Sequence, residues 1–142
     1  MKKILIALFC LLTCAGIQVK AQGNEGPMFK FKDGDVWDFG VIKRGPGAKH
    51  TFEFTNVGNQ PIIVMNVTPS CGCTNVDWSK SPVLPGQKGY VSLELKTDEQ
   101  HGVFDKEVYI QSNAKTPHGE KRYVLRIKGD AKDEVPDKKP AN

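Results

Sequence analysis

Seven short runs of alternating apolar and polar residues, separated by Gly, Pro and Asn, confine this chain to β structure. The runs cover residues 28–32, 36–41, 50–55, 62–67, 90–95, 104–111 and 121–128. No stretch carries apolar residues at spacings of three, four and seven over a helical length, so helices are not expected. In an extended strand successive side chains point to opposite faces. Phe52 and Phe54 therefore share a face with His50, against Thr51, Glu53 and Thr55. Val91, Leu93 and Leu95 oppose Tyr90, Ser92 and Glu94, and Tyr123, Leu125 and Ile127 oppose Val124, Arg126 and Lys128. Each strand then has one apolar side, as half-buried antiparallel sheets require. Seven such strands in about 100 residues suit a two-sheet sandwich.

The first residues obey a different rule. Met1-Lys2-Lys3 is a short basic start, followed by the apolar run from Ile4 to Leu12 and by Val19-Lys20-Ala21, a small-x-small cleavage pattern. Residues 1–21 are expected to be an export signal, with the mature chain starting at Gln22. The apolar run is shorter than the ~20 residues that span a bilayer, so no transmembrane segment is expected after cleavage. The competing reading is lipoprotein processing at Cys14, since Leu11 stands three residues before it. Cleavage leaves 17 basic and 16 acidic side chains, a net charge of +1. A nearly neutral surface offers nothing to a nucleic acid backbone, and none is expected as a partner.

The remaining residues suffice for one domain, placed at 28–129. Residues 22–27 are polar and Gly-containing and read as a flexible lead. Residues 130–142 carry charges, two prolines and few apolar groups, and read as a disordered tail. Residues 56–61 and the pair Pro85-Gly86 read as turns. There is no repeat of solenoid length.

Catalytic signatures are missing: no Gly-x-Ser-x-Gly, no HExxH and no phosphate-binding glycine loop. His50, His101 and His118 are scattered, Asp33-Gly34-Asp35 lacks the later ligands of a calcium loop, and Asn66-Val67-Thr68 is a sequon of a kind that chance often produces.

The exception is Cys71-Gly72-Cys73, the two cysteines that survive cleavage. Export to an oxidising compartment leaves three readings open. The first is a structural pair, with a disulfide between Cys71 and Cys73 shaping a loop. Closing three residues removes only about 1.6 kcal/mol of chain entropy, too little for a global staple. The second is thiol–disulfide exchange, although no helix N-terminus of the thioredoxin kind is expected here. The third is copper or zinc, for which two thiolates suit Cu(I) or Zn(II) and His50 or His101 could complete the set. Trp78 is expected to anchor the loop that follows the pair.

Phe39-Gly40, His50 with Phe52, Phe54, Asn56 and Gly58, the block Ser70-Cys71-Gly72-Cys73-Thr74, Pro85-Gly86, Gly102 with Phe104 and Lys106, and Ser112-Asn113 together resemble a family of exported bacterial domains, domain of unknown function 1573. The resemblance implies an immunoglobulin-like sandwich, similar to major-sperm-protein and cilia-associated modules and more distantly to pilus chaperones. It carries no activity with it. By fold analogy the chain is expected to be a non-enzymatic binding or envelope-structural module, periplasmic or extracellular, a monomer or weak oligomer, without a cofactor, meeting a protein or an envelope component. The runs 28–32 and 121–128 are the expected docking edges. The alternative is a thiol redox or metal-handling protein built on Cys71 and Cys73.

Overall fold

The computed structural model describes residues 26–134. The expected signal, the cut before Gln22, the alternative at Cys14, residues 22–25 and most of the expected tail lie outside the described residues. Eight strands follow in order: β1 (Phe29–Phe31), β2 (Val36–Lys43), β3 (Ala48–Asn56), β4 (Val64–Pro69), β5 (Thr74–Trp78), β6 (Lys88–Leu95), β7 (Gly102–Ser112) and β8 (Tyr123–Lys132). They form two four-stranded sheets, ordered β1-β3-β6-β5 and β2-β8-β7-β4. Among the described residues there is no helix.

The alternation read from the sequence is the one that builds the core. Phe52, Phe54, Val91, Leu93 and Leu95 from one sheet face Phe104, Val108, Ile110, Leu125 and Ile127 from the other, all buried. Phe29 and Phe31 stack at 5.5 Å and meet Phe54 and Tyr123, closing the gap between the sheets beside β1. Such rings contribute both buried area and edge-to-face contacts.

The sandwich departs from the expected one in four places. An eighth strand, β5, occupies residues read as a loop. The pairing is not wholly antiparallel, because β2 runs parallel to β8 from Val36 opposite Arg126 to Lys43 opposite Lys132. That register shifts between Asp38 and Val41, where Gly40 adopts a φ of 65° and its N–H donates to the Asp38 carboxylate at 2.8 Å. Such a bulge places a residue where only glycine sits without strain, which accounts for Phe39-Gly40.

Third, β8 is not an edge. It lies between β2 and β7, so the expected docking role of 121–128 is excluded by its own hydrogen bonds. Fourth, Asp130, Ala131 and Lys132 belong to β8 rather than to a tail, with Ala131 buried at 2% exposure. At the other end Gly26 is held by Asn59, and Lys115 donates to the carbonyl of buried Pro27 at 2.9 Å, so the lead ends before them.

Candidate functional site

The Ser-Cys-Gly-Cys-Thr block is the corner where the chain leaves one sheet and enters the other. β4 and β5 are edge strands of different sheets, and residues 70–73 join them. Each side of the corner is fastened separately. Ser70 donates its N–H to the Glu107 carbonyl of β7 at 2.8 Å, and its hydroxyl accepts the Glu107 N–H at 3.2 Å. On the other side the Cys73 carbonyl accepts the Lys96 N–H at 2.8 Å, and Thr74 pairs with Leu95.

Cys71 and Cys73 are joined through a disulfide with their Cα atoms 5.3 Å apart. An extended strand would hold residues i and i+2 about 6.5–7 Å apart, so the chain is bent here. The bend does not depend on glycine freedom: Gly72 has no positive φ, is exposed, and has open space where a Cβ would stand. The two cysteines differ in exposure. Cys73 is buried at 7% exposure, whereas Cys71 is only half-buried. Thr74, 4% exposed, directs its hydroxyl at both, 3.8 Å from Cys71 Sγ and 3.9 Å from Cys73 Sγ. A disulfide has no S–H, so the hydroxyl is the donor.

The histidines considered as ligands lie in other surroundings. His50 pairs with Leu93, and Leu93 pairs with Val76 of β5. Two strand spacings, about 10 Å, thus separate His50 from the β5 backbone, and Cys73 lies three residues before Val76. The His50 ring stacks on Trp37 at 3.8 Å with an interplanar angle of 10°, and meets the Phe52 ring edge-on at 4.5 Å. Its Nε2 is buried with no hydrogen-bond partner, so this is a packed histidine and not a hydrogen-bonded one.

His101 is exposed, its Nε2 3.3 Å from Arg44 Nη2. Arg44 also donates to the Asp133 carboxylate at 2.6 Å and to the Asp98 carbonyl at 2.9 Å. Among the described residues no group of three or more His, Cys, Asp or Glu side chains is placed to hold a metal ion. Neither histidine therefore completes a set with the cysteine pair.

Trp78, expected to anchor a loop, ends β5 instead and packs half-buried against the core. The Lys80 ammonium lies 3.0 Å from its ring centroid, a cation–π contact that covers one face. Asp77, next to Trp78, receives the Tyr90 hydroxyl at 3.1 Å, which, with the Trp78 backbone and Lys80, holds its carboxyl below the usual range. Sequence reasoning missed the Thr74 hydroxyl and the Ser70–Glu107 pairing, both adjacent to the motif it singled out.

Burial of the His50 ring lowers its pKa below 6.5, and the negative charge of Asp33 opposes that shift only in part. The unfolded chain then binds a proton before the folded chain does, so stability is fully present above pH ~6.5 and falls as pH drops through the folded pKa. Urea unfolding between pH 8 and 5 should therefore show a declining free energy below about pH 6.5 that His50→Gln removes. A His50→Gln curve parallel to that of the original protein contradicts this assignment.

Solved structures share the fold at low identity. A protein of unknown function from Porphyromonas gingivalis W83 superposes with a TM-score of 0.61 at 15% identity, over 81% of this chain and 51% of that one. The VesB protease of Vibrio cholerae gives 0.55 at 16%, over 73% of this chain and 31% of the protease. The PapD-like domain 7 of human CEP192 gives 0.54 at 8%, over 79% of this chain and 89% of that domain. The chain thus spans about half or less of the first two, and the likeness is one of fold: an immunoglobulin-like, PapD-like sandwich. A search of curated proteins returned no match. The family model described as "Protein of unknown function (DUF1573)" matches residues 29–131, most of the chain, and the protein belongs to that family.

Proposed function

We propose that this chain is a non-enzymatic immunoglobulin-like module, working in the periplasm or outside the cell as a monomer or weak oligomer, that holds a protein partner presented as an extended strand along β4. The observation that carries this reading is that edge's lack of charge: β4 shifts register between Val64 and Asn66 and ends in Pro69, yet it offers exposed apolar side chains. Among the described residues β4 pairs only with β7, and its residues Val64–Pro69 include no charged side chain. Ile63 and Met65 on this edge are exposed by 45% and 56%. The other edges carry charged side chains, which discourage added strands: Lys30 and the flanking Lys32 at β1, Asp38 and Lys43 in β2, Asp77 in β5. An open edge satisfies a partner's backbone groups while alternate side chains select it.

A photo-reactive residue at position 65, in cells that make the protein, is expected to cross-link one defined protein. The same residue at position 30 should not. Thr68→Lys, which puts a charge on the exposed side of β4, should remove the position 65 adduct without changing the unfolding midpoint. Equal capture from both positions, or an adduct indifferent to Thr68→Lys, contradicts docking at β4.

A further inference from the structure

We propose that the Cys71–Cys73 disulfide is a thiol–disulfide exchange site of fixed polarity, attacked at Cys71 by a thiol-bearing peptide or protein and releasing Cys73. This goes beyond the docking reading and stands or falls separately from it. Three observations point the same way.

The bond is not needed to hold the corner. Ser70 and Glu107 fasten one side of it, Cys73 and Lys96 the other, through hydrogen bonds that do not involve the sulfurs. A three-residue loop adds little chain entropy to the unfolded state on opening. The pair can therefore cycle within a folded domain.

Access is one-sided. Cys71 is the more accessible residue of the pair, half-buried, whereas Cys73 is buried at 7% exposure. Attack of a thiolate on a disulfide depends on which sulfur can be reached and on how well the other leaves.

A donor is already in place for the leaving sulfur. The Thr74 hydroxyl, in a residue 4% exposed, has the two cysteine sulfurs as its side-chain partners among the described residues. A buried hydroxyl with a better acceptor nearby would use it. Here the group that becomes a better acceptor is the thiolate formed when the bridge opens, since hydrogen bonds to charged groups are the stronger ones.

In the exchange the substrate thiolate attacks Cys71 Sγ, the S–S bond breaks, and its electron pair passes to Cys73 Sγ, which takes the Thr74 hydrogen bond. The product is a mixed disulfide between the substrate and Cys71. A second thiolate of the same substrate then attacks the substrate sulfur of that bond and expels Cys71 as a thiolate. The substrate has lost two electrons as a new disulfide and the protein has gained them as a dithiol. One oxidised chain performs one such turn.

The test treats the purified, oxidised protein with reduced glutathione and maps the adduct by peptide mass spectrometry, following the rate by quenched alkylation. Glutathione is expected on Cys71 and not on Cys73, with the far-ultraviolet circular dichroism unchanged after full reduction. Thr74→Val should slow the reaction about tenfold, the loss of one hydrogen bond to a charged group, and Thr74→Ser should restore the rate. Adducts divided evenly between the two cysteines, unfolding on reduction, or an unchanged rate in a folded Thr74→Val protein overturn the proposal. The adduct map needs no variant, so it decides the polarity even where Thr74→Val fails to fold.

Discussion

Asn56→Ala should lower folding stability by about 4 kcal/mol, because it removes the side-chain partner of four backbone groups, one buried and three part-buried, and empties a fully buried site. Asn56 is fully buried at the end of β3. Its Nδ2 donates to the carbonyls of Gln60 at 2.7 Å and Val83 at 2.9 Å, while its Oδ1 accepts the N–H of Gly58 at 3.0 Å and, at 3.4 Å, that of Met28. One amide thus ties together the lead into β1, the turn after β3 and the strand-like segment at Val83. Each buried group left without a partner costs roughly 1–3 kcal/mol. Set against the roughly 5–15 kcal/mol of a typical domain, this is a large share, readable as a Tm lower by roughly 15 °C or more. A loss below about 1 kcal/mol would mean that water replaces the amide without penalty, against the burial described above.

Gly58→Ala has an expected cost of about 2–3 kcal/mol from overpacking alone. The backbone of Gly58 needs no positive φ, so alanine's own conformation is not the obstacle. A Cβ at this position would clash with the Gly26 carbonyl oxygen and lie 2.8 Å from the Met28 nitrogen. Both are backbone atoms, which no side-chain rotation can clear. Relief requires moving residues 26–28 away, and with them the bonds that Val57 donates to Met28 at 3.0 Å and Asn59 to Gly26 at 3.2 Å. Amide hydrogen exchange should then quicken at Val57 and Asn59 while Leu93 and Ile127 stay protected. Uniform protection, with an unchanged denaturation midpoint, would show that the two backbones are not in such contact.

These two positions also show where sequence reasoning stopped. Asn56 and Gly58 were legible as turn residues; Asn56 closes β3 and Gly58 lies in the bend after it. That Asn56 is buried beside this bend depends on residues 26–28 and 83, far away along the chain, coming to lie against it. Alternation made the faces legible because it is local: Phe52 and Phe54, Val91, Leu93 and Leu95, Leu125 and Ile127 all point inward as their spacing requires. β5 was missed although it alternates too, with Thr74, Val76 and Trp78 on the more buried side and Asn75 and Asp77 exposed. Five residues that open with Thr-Asn, two positions after a glycine, carry more turn character than strand character.

The central place of β8 was not legible because alternation does not say which strands neighbour one another. Its parallel pairing with β2 joins residues some 90 apart, as Val36 opposite Arg126. Asp130, Ala131 and Lys132 were read as tail on composition, yet Ala131 alone is enough to face the core while the charges on either side point outward. For the cysteine motif, the short loop and the missing helix were visible from the start. Its place as the sheet-to-sheet corner was not, since that follows only once residues 74–78 are known to belong to the other sheet.

On the function proposed above, partner binding belongs to the β4 edge and not to the sulfurs beside it. The most direct measurement repeats the cross-linking from position 65 in a chain carrying Cys71→Ser and Cys73→Ser together. The same partner captured in the same yield is the expected result. Loss of the adduct from a variant that remains folded would contradict the claim and assign binding to the cysteine pair.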